Sequence, residues 1–131
     1  MKSTELRIGN YVTSKAWNGC HRIDGIQATD DGFELTIGDY IHKFQDGMYV
    51  DIKPIPLTPE LLEKCGFEER NHCEDWFIKL PDTDTIISYR RNQLRICPVN
   101  SMACLYTDCL YLHTLQNYYH AISGEELQIT L

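Results

Sequence analysis

At 131 residues, with 43% hydrophobic and 24% charged side chains and a net charge of −7, the chain has room for one ordinary domain or two very small ones and enough apolar content to bury a core. The acidic balance excludes a broad positive field of the kind that holds phosphate backbones or anionic lipid, and it persists on both sides of Pro56: 6 Lys+Arg against 8 Asp+Glu before it, 6 against 11 after it. Neither an export leader nor a run of about 18 apolar residues occurs, so a cytoplasmic protein without membrane association is expected, its six cysteines reduced and mostly acting as small core side chains.

The first half reads as short strands between turn residues: Leu6 to Thr13, Cys20 to Ala28, Gly32 to Ile37, Tyr40 to Phe44 and Met48 to Ile52. Asp31-Gly32, Gly38-Asp39 and Asp46-Gly47 tolerate the positive φ of tight reversals, and Phe33, Leu35 and Ile37 alternate with Glu34 and Thr36 as in a half-buried strand. A small β-rich module over 1–56 is predicted, either an SH3-like barrel or a curled sheet, since closure would leave few bare edges. The three prolines of Ile52-Lys53-Pro54-Ile55-Pro56-Leu57-Thr58-Pro59 forbid a central strand and mark a connector. Thr58 is suited to cap a short helix from Pro59 to Cys65, Glu60 complements its dipole, and Gly66 supplies the left-handed stop.

Over 57–131 the pattern continues with strands Trp76 to Leu80, Thr85 to Arg90 and Gln93 to Cys97, an antiparallel meander turning at Arg91-Asn92, with a further strand at Ala103 to Tyr106. A polar loop is expected between Phe67 and Trp76. Tyr111, Leu112, Leu115, Tyr118, Tyr119 and Ile122 fall on one face of a C-terminal helix that ends at Ser123-Gly124, and Leu127, Ile129 and Leu131 alternate as a terminal strand would. The expected fold class is therefore α+β, with the second antiparallel sheet packed by the C-terminal helix.

Three blocks carry a family resemblance: Glu5 to Val12, Ile52 to Thr58 with Leu61-Leu62 to Gly66-Phe67, and Leu112 to Tyr119 with Ser123 to Leu127. Together they resemble a family of small uncharacterised proteins from Bacteroides-type gut bacteria and their prophages. The resemblance implies a setting in phage or mobile-element biology and carries no activity, cofactor or catalytic residue with it.

Candidate chemistry is sparse. Cys97, Cys104, Cys109 and His113 have the ligand types of a zinc site, but no pair sits on a knuckle turn, and core thiols are favoured over a metal. His72-Cys73-Glu74-Asp75 joins an imidazole, a thiol and two carboxylates, yet neighbours on an extended strand point apart, so a solvated loop is favoured over a nucleophilic site. Arg90, Arg91 and Arg95 with Tyr89 as a stacking platform describe a weak nucleic-acid interface on one hairpin. His113, Gln116, Asn117 and His120 form a polar arc on the C-terminal helix and are the candidate binding residues. The reading is a non-catalytic module for a protein or small-molecule partner, without cofactor, with nucleic acid disfavoured and self-association open. The rivals are a small enzyme using His113 or His120 with a group supplied by the fold, and a nucleic-acid-associated or nucleic-acid-mimicking protein.

Overall fold

The computed structural model describes residues 5–14, 19–30, 32–45, 48–49, 52–70, 74–81, 83–98 and 104–130. They form strands β1 (Tyr11–Ser14), β2 (His21–Arg22), β3 (Gly25–Thr29), β4 (Gly32–Ile37), β5 (Tyr40–Gln45), β6 (Met48–Tyr49) and β7 (Ile52–Lys53), then helix α1 (Pro59–Lys64). There follow β8 (Glu68–Arg70), β9 (Asp75–Lys79), β10 (Ile86–Arg90), β11 (Gln93–Cys97), β12 (Leu105–Asp108) and helix α2 (Leu112–Ser123). The class is α+β with antiparallel sheets. The chain divides into two compact units, 1–56 with 111–118 and 57–110 with 119–131, so α2 contributes its first turns to one unit and its end to the other.

In the first unit β2-β1-β7 and β3-β4-β5-β6 are two open ladders. Among the described residues neither ladder closes on itself into a barrel. The step between them is made at Ile23-Asp24, inside what the sequence suggested was one strand from Cys20 to Ala28. Ile23 N donates to Asn10 O (2.8 Å) and Asp24 N to Thr36 O (2.8 Å), so consecutive residues satisfy different ladders. Ile23 turns inward and joins Leu6, Val12, Leu35, Ile37 and Ile52 in the core. The expected strand from Leu6 is also shortened, because Arg7 to Asn10 is a turn: Asn10 N donates to Arg7 O (3.1 Å) and Gly9 takes φ 96°, a value a side chain would strain. The predicted strand Met48 to Ile52 is likewise two strands, β6 pairing with β5 and β7 with β1.

The second unit holds one antiparallel sheet in the order β12-β11-β10-β9-β8. Helix α1 forms as its sequence dictates. Thr58 Oγ1 accepts from Leu61 N (3.2 Å), Pro59 occupies the first position, and Gly66 at φ 88° closes the end. Gly66 N donates to Glu63 O and Phe67 N to Leu62 O, both at 3.0 Å, the paired bonds of a Schellman motif. Buried Leu61, Leu62, Cys65 and Phe67 give this segment its core face. A Cβ added at Gly66 would lie 3.6 Å from Ile78 Cδ1, which places the helix end against β9.

Four expectations are revised here. Glu68–Arg70 is a strand, not loop; a charged triplet is a poor strand by composition but a common edge, and β8 is an edge. The strand placed at Ala103 to Tyr106 is β12, Leu105–Asp108, with Ala103 outside the described residues. No terminal strand forms among the described residues: Leu127 is buried and Thr130 N donates to Lys64 O (2.9 Å), but there is no ladder. Ile122, expected on the buried face of α2, is 38% exposed.

Candidate functional site

The polar arc of α2 is turned mostly inward. Gln116 is 1% and His113 2% exposed, so the helix buries Leu112, His113, Leu115 and Gln116 rather than the all-apolar stripe read from the sequence. The reason lies in the turn at Arg7 to Asn10, whose backbone groups need partners. Gln116 Oε1 accepts from Tyr11 N (2.9 Å), and Gln116 Nε2 donates to Gly9 O (3.0 Å). Asn117 Nδ2 donates to Glu5 O (2.8 Å), and its Oδ1 accepts from Asn10 Nδ2 (2.8 Å) and Arg7 Nε (3.2 Å). Leu112 N donates to Ile55 O (2.9 Å), and Pro56 bridges Tyr111. Two of the proposed binding residues, Gln116 and Asn117, thus hold the N-terminal turn. His113 stacks on Tyr111 at 5.9 Å, and among the described residues its Nδ1 has no hydrogen-bond partner. Burial pushes its pKa below the ordinary histidine value, Glu5 opposing only in part. His120 is half-buried in the second unit.

The thiols are mostly inert. Burial pushes Cys65 up to about 12, which keeps it protonated at neutral pH. Cys109 is buried in the second unit, and His113 lies in the first. Cys97 and Cys104 are joined as a disulfide, against the expectation of reduced thiols, because the register Ile96↔Leu105 makes them the next pair across β11 and the start of β12. Among the described residues no group of three or more His, Cys, Asp or Glu is placed to hold a metal ion. His72 and Cys73 lie outside the described residues.

The arginine hairpin separates into two faces. Tyr89, read as a stacking platform, is only 7% exposed and stands opposite Leu94 and Trp76 on the inward side of the sheet, its hydroxyl donating to Asn92 Oδ1 (3.1 Å). Side chains alternate along strands, so Ile87, Tyr89, Leu94 and Ile96 face the core while Ser88, Arg90 and Arg95 face away. Arg91 stands in the turn at φ 50° beside Asn92 at 64°, both left-handed as a two-residue hairpin turn requires.

On that outward face Glu68, Phe77, Ser88, Arg95 and Tyr106 stand opposite one another across five strands. The Arg70 guanidinium carbon lies 4.6 Å from the centre of the Phe77 ring, and that of Arg95 lies 5.8 Å from Tyr106, two arginine–aromatic stacks. Arg95 Nη2 also donates to Cys104 Sγ (3.5 Å), so the disulfide sits at the rim of the same row. Tyr106 is 59% exposed, and no described residue at an outward position is fully buried. Of the six Lys and Arg after Pro56, Arg70, Lys79, Arg90 and Arg95 point outward and Arg91 occupies the turn, leaving only Lys64; among the described strand residues the acids on this face are Glu68, Asp75 and Asp108, and Asp84 Oδ1 lies 3.6 Å from Lys79 Nζ. Phe77, Tyr106 and Arg70 were missed from the sequence, although the period of two in Asp75–Lys79 already placed Phe77 opposite Trp76 and Ile78 in facing.

A shallow depression in the first unit is lined by Cys20, His21, Arg22, Asp24 and Tyr40; Asp24 Oδ2 accepts from Gly38 N (2.9 Å) and is thereby engaged in the β4–β5 turn. No helix among the described residues is long and apolar enough to cross a membrane. No protein-family model matches the chain, and neither does any curated protein or solved structure.

Proposed function

We propose that the protein is a non-catalytic binding module and that the outward face of the five-stranded sheet is its working surface. The observation that carries this reading is the pair of arginine–aromatic stacks on a face with no fully buried position, in a half of the chain that is otherwise strongly acidic. This surface displaces the polar arc as the binding site: Gln116 and Asn117 are engaged by backbone, and the burial of His113 speaks against its meeting a partner or, in the enzyme reading, a substrate. A setting in phage or mobile-element biology stays part of the proposal on the strength of the resemblance of the three sequence blocks.

The test is a solution NMR titration with single-stranded oligonucleotides, acidic peptides and nucleotides as separate series. Saturable shifts clustered at Ser88, Arg95 and Tyr106 with no ligand turnover are expected from at least one series. Shifts confined to the first unit, or chemical conversion of a ligand, would contradict the reading.

A further inference from the structure

We infer that the occupant of this face is single-stranded nucleic acid, an inference that rests on the outward face being the working surface. Bases offer π-faces that stack on aromatic rings and on guanidinium planes whatever their identity, and the face presents both in two places, Arg70 with Phe77 and Arg95 with Tyr106. The two stacks lie on β9 and β12, three strand steps or about 14 Å apart, a distance that a few nucleotides of extended strand cover. Ser88 stands in the row between them as a hydroxyl able to donate or accept, and Gln93 on the neighbouring row adds an amide. Arg90 and Arg91 lie to one side of the row, where a backbone crossing the strands would place its phosphates, and Lys79 lies to the other, where a phosphate would compete with Asp84, 3.6 Å away. A duplex does not fit this chemistry, since its bases are already stacked on one another and offer no free π-face to the rings. An acidic peptide would satisfy the cations but leave both stacks without a planar partner. The overall charge of −7 argues against tight, unselective binding, and the few phosphate contacts imply weak affinity with a shallow salt dependence, a logarithmic slope of about −2 to −3.

The experiment is fluorescence anisotropy of the full chain with labelled DNA and RNA strands of about twelve nucleotides, each single-stranded and as duplex, in about 50 mM salt. Both single strands are expected to bind saturably and the duplexes at least tenfold more weakly; a difference between DNA and RNA identifies which is preferred. Tyr106→Ala is expected to weaken binding about five- to a hundredfold, whereas Tyr40→Ala, which removes a ring 61% exposed in the first unit, leaves it unchanged. Circular dichroism confirms that each variant is folded, and Arg95→Gln, a surface change, repeats the test should Tyr106→Ala fail to fold. Absence of saturable binding, equal binding of duplex, or equal loss in Tyr40→Ala overturns the inference. If oligonucleotides fail while a peptide or nucleotide still shifts Arg95 and Tyr106, only the ligand class is wrong; if nothing shifts them, the binding face is wrong as well.

Discussion

Gln116 shows how one side chain can settle an arrangement that backbone groups could not complete alone. Its amide closes two bonds to the turn before β1, at Tyr11 N and Gly9 O, in a site only 1% exposed. Gln116→Leu keeps comparable bulk and leaves both groups unpaired, so a loss of about 2–4 kcal/mol in urea unfolding is expected; a change below about 0.5 kcal/mol would mean that water reaches the turn. His113, one turn away, carries a pH signature. Its folded pKa lies below its unfolded one, near 6.5, so between the two the unfolded chain binds more protons, and stability is full above the unfolded value and declines as pH falls below it. Unfolding measured at neutral pH and at mildly acidic pH should show a larger acid loss in the native chain than in His113→Gln. Equal losses would show that the imidazole is not desolvated.

At the scale of elements, what local chemistry determines was legible and what tertiary pairing determines was not. Thr58, Pro59 and Gly66 fixed α1 because cap, first turn and stop are each satisfied by neighbours in sequence. The β10–β11 hairpin was legible for the same reason, its register following from a two-residue turn. Glu68–Arg70 has no signal of its own and becomes a strand only because β9 offers an open edge. Leu127 to Thr130 has the alternation of a strand but finds one backbone partner, at Lys64, so alternation without a neighbour gave no strand. The polar arc failed likewise: periodicity placed Gln116 and Asn117 together on one face of the helix, but not that a backbone turn distant in sequence would engage them. The disulfide between Cys97 and Cys104 closes a short loop at the rim of the outward face. Replacing both by Ser should cost about 2 kcal/mol by chain entropy, read as a lower thermal midpoint than that of the oxidised native chain. An unchanged midpoint would indicate that the pair is not bonded in solution.

Taken whole, the molecule places most of the cations of its second half on one sheet face, against a net charge of −7. The total charge predicted indifference to nucleic acid because it averages over a distribution that only strand register reveals. Tyr89 and Arg95, grouped by sequence proximity, point to opposite sides of the sheet, and the ring beside Arg95 is Tyr106, brought there by the β11–β12 pairing. The central claim is that this face binds single strands, and Arg95→Glu tests it most directly, reversing one exposed charge that stands between Ser88 and Tyr106 in the row. The affinity for a single-stranded oligonucleotide should fall at least tenfold while the thermal midpoint stays within about 3 °C of the native value. Unchanged affinity with an unchanged midpoint would contradict the claim.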